Sequence, residues 1–340
     1  MLSQNPGRGG DFPEHKAPST LTGTMKIRSG VRVVAPVVCL ALAVVVSVPA
    51  EATSDKNTTK KFIGGLQLGK SGVVANLVEG VPPLPETEAT SYLIADLTTG
   101  KVLAAKNAHL KLPPASTLKT LLALTLLPRL NPKSSYRADL RDQNVIGNRV
   151  GLYPGQSYTI SALWNATLLL SGNDAAIALA HAAGGFDKTV ALMNQKARQL
   201  QALDTFARTP NGLDARGQVS SAYDLALIGR AAMQRKDFRT YATTQSYVFQ
   251  HSGKKNEPLK IDNQNKMLTT YPGTMGVKTG YTTQGKNTYI GAATRDGHTI
   301  IITLMHLTYG RDALATQLFD WGFAADGKVQ PIGTLVKPLK

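Results

Sequence analysis

PPASTLKTLLALTLLP, residues 113–128, places two prolines ahead of a small residue and a serine, then enters an apolar run that keeps one cation, Lys119. A helix starting after Pro113-Pro114 puts Ser116 in its first turn, with Leu118, Leu121 and Leu122 around the lysine. Positions i and i+3 share a helix face, so the Ser116 hydroxyl and the Lys119 amine can meet. The unpaired N–H groups and positive dipole end of a helix N-terminus favour a developing negative charge. A serine hydroxyl is a poor nucleophile without a base, and a lysine serves as base only when neutral. From a reference pKa of about 10.4, holding it neutral at pH 7 costs about 4–5 kcal/mol unless burial or a second cation shifts it. Taken alone the spacing fits a capping serine and a snorkelling lysine better, and S-x-x-K recurs at Ser252-Gly253-Lys254-Lys255.

Two further constellations stand downstream. Ser171-Gly172-Asn173 interrupts the helical patterns SALWNATLLL and DAAIALAHAA, where a tight turn would project a hydroxyl and an amide from a helical layer. Lys278-Thr279-Gly280 lies in the strand-like run TMGVKTGYTT. There it sets an ammonium, a hydroxyl and a bare backbone in a row, the glycine admitting an extended peptide.

The rest of the chain bounds the reading. It has 340 residues at 42% hydrophobic content, enough for a substantial core;. The 38 Lys+Arg against 22 Asp+Glu give +16, which suits an anionic partner such as nucleic acid, an acidic membrane surface or a wall polymer;. The single cysteine, Cys39, excludes an intramolecular disulfide and a cysteine-based metal cluster;. Cys39 lies in MKIRSGVRVVAPVVCLALAVVVSVPAEAT, residues 25–53, which has a basic start, an apolar stretch and small residues around Ala50 and Ala52. That is the layout of a secretory leader, expected to be cleaved near Ala52 or retained as an N-terminal membrane anchor. Translation is expected to begin at Met25 rather than Met1, and export makes nucleic acid an unsuitable partner.

Residues 1–52 are therefore read as extension and signal peptide, 53–88 as linker, 89–325 as one domain and 326–340 as a tail. SYLIADLTTGKVLAAKNA, residues 91–108, predicts a hairpin around Thr98-Thr99-Gly100;. Residues 161–235 carry helical spacing, residues 273–307 alternate as strands with turns at Gly285, Asp296 and Gly297, and a last helix covers 311–321;. Strands at both ends with helices between predict an α+β domain whose sheet is completed by distant segments.

The ordered set S-x-x-K, S-x-N, K-T-G resembles that of the serine penicillin-recognising enzymes. PASTLKTLLAL, SGNDAAIALA, LMNQKARQL, TPNGLDARGQVSSAYDLALIGR and GVKTGYT narrow the resemblance to the low-molecular-mass penicillin-binding proteins, the serine-type D-alanyl-D-alanine carboxypeptidases, over residues 89–323. The resemblance implies a β-lactamase/transpeptidase-like fold, an antiparallel sheet flanked by helices with an all-helical subdomain. It implies Ser116 as nucleophile, Lys119 as the group taking its proton and Ser171 as the relay to the leaving amine. Asn173 would hold Lys119 and a substrate amide, Lys278 would add positive potential, and Thr279 would bind the terminal carboxylate. Gly280 would admit the peptide, and the backbone N–H groups of Ser116 and Tyr281 would form the oxyanion hole. In LTYGRDALATQLFDWGF, Arg311 matches an arginine that some relatives place near that carboxylate, or is a surface arginine at a helix start. The implied substrate is the peptidoglycan stem peptide, with β-lactams as covalent inhibitors and no metal or cofactor.

Many relatives continue into a second β domain and an amphipathic tail, whereas only KVQPIGTLVKPLK, residues 328–340, follows here, so no C-terminal membrane attachment is expected. The rivals are a β-lactamase and a non-catalytic wall-binding relative. The first needs a deacylating carboxylate, yet residues 89–256 contain no glutamate, leaving Asp214 as the possible stand-in. The second is disfavoured by the complete motifs. His109, His181, His251, His298 and His306 sit in no motif and are expected to pack or face solvent.

Overall fold

The computed structural model describes residues 62–251 and 257–339. The leader at 25–53, Cys39 and the second S-x-x-K at 252–255 fall outside the described residues. A 3-10 turn (Leu66–Gly69) and a short strand, β1 (Val73–Ala75), come first. β2 (Ser91–Asp96) and β3 (Lys101–Lys106) make the expected hairpin. Its turn follows from Asp96, whose carboxylate accepts from the Thr98 and Thr99 amides at 2.7 and 3.1 Å;.

A 3-10 turn (Ala115–Leu118) feeds α1 (Lys119–Leu126). The middle comprises β4 (Ser135–Arg137), α2 (Leu140–Gln143), β5 (Ser157–Thr159), α3 (Ile160–Leu168), α4 (Asn173–Ala182), α5 (Phe186–Gln199), α6 (Ala222–Met233) and α7 (Lys236–Thr243). β6 (Ser246–Gln250) pairs with β7 (Pro258–Asp262), and α8 (Met267–Thr270) leads back to the main sheet. There β8 (Thr274–Thr282), β9 (Lys286–Arg295) and β10 (His298–Leu307) form a meander. α9 (Arg311–Ala325) follows, and β11 (Gly333–Thr334) returns to β3.

The main sheet has seven strands, ordered β1-β3-β2-β10-β9-β8 with β11 also on β3, every pair antiparallel. Joining β2 to β10 is how the two ends of the chain complete one sheet. Side chains alternate between two cores, because successive residues of a strand point to opposite faces. Ile300, Ile302 and Leu304 pack with Leu314, Leu318 and Phe319 of α9, while Ile301 and Met305 pack with Leu225 and Ile228 of α6. Helices on both faces bury every residue of β2. Among the described residues no helix is long and apolar enough to cross a membrane.

The structure adds pieces that carry no periodic signal. The stretch read as linker contributes β1 to the sheet edge, and Trp321 Nε1 donates to Pro82 O at 2.9 Å. The tail contributes β11, and the last helix runs to Ala325 before Asp326-Gly327 stop it. Residues 200–221, inside the predicted helical middle, form a loop held by bridges such as Phe206↔Val219. These segments take their hydrogen bonds from edges of other elements, which a local pattern does not display.

Both covering helices set a glycine tightly against the sheet. A Cβ on Gly229 of α6 would lie 2.6 Å from Ile290 Cγ2 and 2.9 Å from Ile301 Cδ1. On Gly322 of α9 it would lie 2.9 Å from Ile300 Cγ2 and 3.0 Å from Ile94 Cγ2. Alanine normally stabilises a helix interior by about 1 kcal/mol over glycine, but overpacking a core costs about 1–3 kcal/mol. Gly229→Ala is therefore expected to lower the midpoint of urea unfolding; a raised midpoint would show that α6 is not seated this closely.

Candidate active site

The serine and lysine of the opening stretch meet, though not on an α-helix. Ser116 belongs to the 3-10 turn and Lys119 is the first residue of α1. With three residues per turn, i and i+3 eclipse one another, and Lys119 Nζ lies 2.9 Å from Ser116 Oγ. Ala115, just before the serine, has φ 50°, a backbone that a non-glycine residue seldom adopts;. The turn is clamped by Thr117 Oγ1 and Thr288 Oγ1, which donate to Pro114 O at 2.5 and 2.9 Å.

Lys119 Nζ has two further partners, Asn173 Oδ1 at 2.8 Å and Asn211 O at 2.6 Å. The amine is fully buried. Burial above all, and the Lys278 charge after it, hold its pKa well below the ordinary lysine value, with Asp174 opposing. Lys278, 1% exposed, is brought down to about 7 by burial and by the Arg311 charge. Its Nζ donates to Thr279 O at 2.8 Å. A neutral Lys119 has two hydrogens to give. Given to the oxygens of Asn173 and Asn211, they leave the nitrogen lone pair facing the Ser116 hydroxyl, which then donates to it. This arrangement can deprotonate a serine.

The SGN turn joins α3 to α4 as expected. Ser171 has φ 64°, and its Oγ is buried without a hydrogen-bond partner among the described residues. Asn173 Nδ2 donates to Ile146 O at 2.8 Å, leaving one amide hydrogen. On β8, a Cβ at Gly280 would lie 2.4 Å from Thr288 Oγ1 and 2.8 Å from Ser116 N. Only glycine lets this strand pass so close to the backbone of the nucleophile turn.

Ser116, Ser171, Asn173, Thr279, Gly280, Tyr281 and Arg311 all line one cavity of about 230 Å³, with Gly147, Asn148, Leu213 and Gln264. Lys119 and Lys278 stand behind it. Tyr281 is 64% exposed at its rim. Arg311 Nε donates to Asp312 Oδ1 at 2.7 Å. Three stretches that sequence reasoning did not assign contribute: the loop bearing the Asn211 carbonyl and Leu213, the loop bearing Gly147 and Asn148, and Gln264. The Asn211 carbonyl could not have been found by residue type, since any residue supplies a backbone oxygen. The signal that existed was Gly212, at φ 82°, where a Cβ would fall 2.1 Å from Ala115 O.

Asp214 is engaged elsewhere: its carboxylate accepts from Thr282 Oγ1 at 2.7 Å and Gln284 N at 3.0 Å, pinning the β8–β9 turn. A larger cavity, of about 870 Å³, lies beside His109 and Asp204. There His109 Nδ1 is bonded to Asp204 and Nε2 lies 3.0 Å from Ile63 O, so the ring is occupied structurally. Among the described residues no group of three or more His, Cys, Asp or Glu side chains is placed to hold a metal ion.

Comparison with known proteins points to one family. Residues 78–308, which include all three motifs, match the family described as D-alanyl-D-alanine carboxypeptidase. The chain is 43% identical over 265 residues to a D-alanyl-D-alanine carboxypeptidase of Mycobacterium tuberculosis, covering 75% of this chain and 89% of that one. It is 32% identical over 272 residues to one from Escherichia coli K12, covering 76% of this chain and 66% of the relative. A crystal structure of a D-alanyl-D-alanine carboxypeptidase from Mycobacterium tuberculosis superposes with a TM-score of 0.72 at 41% identity, over 77% of this chain and 99% of that one. The Streptomyces K15 DD-transpeptidase superposes with a TM-score of 0.68 at 27% identity, over 72% and 100%. The fold is thus the transpeptidase-like α+β one, and the chain belongs to the serine D-alanyl-D-alanine carboxypeptidases, a family of low-molecular-mass penicillin-binding proteins.

Proposed function

We propose that this protein removes the terminal D-alanine from peptidoglycan stem pentapeptides through an acyl-enzyme on Ser116. The observation that carries the reading is the buried Lys119 amine 2.9 Å from Ser116 Oγ, its other hydrogens directed to two carbonyl oxygens. Lys119 Nζ takes the hydroxyl proton as Ser116 Oγ attacks the penultimate D-alanine carbonyl. The tetrahedral oxyanion is met by the Ser116 and Tyr281 N–H groups. Collapse breaks the C–N bond, Ser171 Oγ passes a proton to the departing amine, and D-alanine leaves. Water then attacks the ester and restores Ser116. Lys278, Thr279 and Arg311 supply cations and a hydroxyl for the substrate's terminal carboxylate, and Asn173 its remaining amide hydrogen for the peptide. A penicillin is attacked by the same serine.

The work is placed outside the cytoplasm, in the cell wall compartment, on the strength of the leader at 25–53, which either is cleaved or stays as an anchor. Amino-terminal sequencing of the exported protein tests this, with a start near Thr53 expected for the cleaved form.

Incubation with a peptide ending in D-Ala-D-Ala should release free D-alanine, and fluorescent penicillin should label the Ser116 peptide stoichiometrically. Label persisting in Ser116→Ala would overturn the assignment. With Asp214 occupied and no glutamate in 89–256, the penicilloyl ester is expected to persist for minutes to hours; release within seconds would make the protein a β-lactamase.

Lys119→Arg keeps the charge but removes the base, because guanidinium does not deprotonate in proteins. Acylation is expected to fall by about 10²–10⁴-fold in a protein that still folds; a near-normal rate would shift the base role to Ser171. In the unaltered enzyme the reactive form is the neutral amine, which burial favours. Acylation should therefore rise with pH through an apparent pKa well below the ordinary lysine value, one belonging to the Lys119/Lys278 pair;. A rate still climbing steeply at the ordinary lysine pKa would sink the neutral-base mechanism.

A further inference from the structure

We propose that Asp174, the residue after the SGN turn, is a positioning residue that fastens the loop between α2 and β5 against Asn173 and so holds the Lys119 amine on Ser116. The inference rests on the reading of Ser116 and Lys119 as nucleophile and base. Its carboxylate is fully buried and accepts four backbone N–H groups. Oδ1 takes Val150 N at 3.0 Å and Ala175 N at 2.8 Å. Oδ2 takes Gly151 N at 2.7 Å and Leu152 N at 3.2 Å. An acceptor-only group is what four converging donors require.

Three of those donors belong to the loop that walls the cavity. Ile146 is 75% exposed, and Gly147 and Asn148 are exposed too, so apolar packing does not hold this part of the chain. What holds it is a short hydrogen-bonded stitch. Asn173 N donates to Asn148 O at 2.7 Å, Asn173 Nδ2 to Ile146 O at 2.8 Å, and Asn148 Nδ2 to Leu170 O at 3.2 Å. A Cβ at Gly147 would lie 3.0 Å from Asn173 Nδ2. The loop therefore sets one side of the Asn173 amide, whose other side receives Lys119 Nζ at 2.8 Å. Release of residues 150–152 frees the loop, the loop frees Asn173, and Lys119 loses one of the two acceptors that aim its lone pair.

The charge of Asp174 acts on the same amine directly. It opposes the lowering that burial and Lys278 impose on Lys119. The titratable neighbours are few. Lys278 faces Lys119 from β8, and His251, after β6, has Cε1 3.6 Å from where a Gly151 Cβ would lie. His251 is itself lowered by burial and raised by Asp174. Removing the carboxylate thus has two separable consequences: a looser loop, and a Lys119 that loses its proton at lower pH.

The test is the rate of Ser116 labelling by fluorescent penicillin across pH for the full chain and its variants. Asp174→Asn offers one oxygen for two donor pairs and no charge. It should label to full stoichiometry at a rate lower by about 10–100-fold, the range typical for supporting groups behind a site, with its ascending limb at lower pH. Asp174→Glu restores the charge and should return the limb to its original position while the rate stays reduced. His251→Gln should leave the limb where it was. Gly147→Ala, on the exposed loop, disturbs Asn173 from the other side and should slow labelling even if the Asp174 variants do not fold. Wild-type rates in Asp174→Asn or Gly147→Ala would overturn the proposal, as would a slow Asp174→Asn whose limb has not moved. Absence of labelling in the unaltered protein would instead overturn the proposed function.

Discussion

A lysine amine buried without a carboxylate partner is the constraint around which this domain is built. Desolvating a charged ammonium is expensive, and a buried lysine answers by giving up its proton. Lys119 is fully buried and its hydrogen-bonding partners are all neutral oxygens: a hydroxyl, an amide and a peptide carbonyl. Those partners come from segments 3, 54 and 92 residues away in the chain. Only a completed fold brings them to one nitrogen, so the burial that lowers the pKa of the amine comes from the packing of the whole domain.

The close approaches that make this possible include two uncomfortable stretches of backbone. Ala115 and Ser171 both have positive φ without being glycine, and both border the cavity's reacting groups. Such conformations cost of order 1–3 kcal/mol each and persist only where surroundings over-determine them. Here the surroundings are explicit. Thr117 and Thr288 clamp Pro114 O, the Asn211-Gly212 loop lies against Ala115 O, and Gly280 lets β8 run alongside Ser116 N. Each glycine stands where another backbone occupies the space of a Cβ.

The cations of the site are graded by burial. Lys119 lies deepest, Lys278 is almost as buried and brought down to about 7, and Arg311 reaches the cavity itself. Each one lowers the next, Arg311 acting on Lys278 and Lys278 on Lys119. In the proposed chemistry this gradient keeps a permanent charge at the mouth for an anionic peptide end and a neutral amine at the serine. The overall +16 of the chain suits the same partner;.

Much of this was legible without a structure. The hairpin at Thr98-Thr99-Gly100, the strands and turns of 273–307, the break between the helices at Ser171-Gly172-Asn173 and the spacing of Ser116 and Lys119 are local features. Short-range hydrogen bonds and side-chain periodicity determine them, and a sequence displays both directly. That distant segments complete one sheet followed from strands left over at the two ends, and the structure makes the joining pair β2 and β10. What escaped were groups without a residue-type signature: the Asn211 carbonyl, the Asp174 carboxylate hidden in a helix's first turn, the loop at 146–148, and the edge strands β1 and β11. The turn carrying Ser116 also proved to be 3-10 rather than α-helical. The sequence alone determined which groups could do chemistry, because reactivity belongs to side-chain type and spacing. Whether Lys119 could be a base was decided by tertiary structure, because protonation depends on burial and on oxygens supplied by residues far away along the chain.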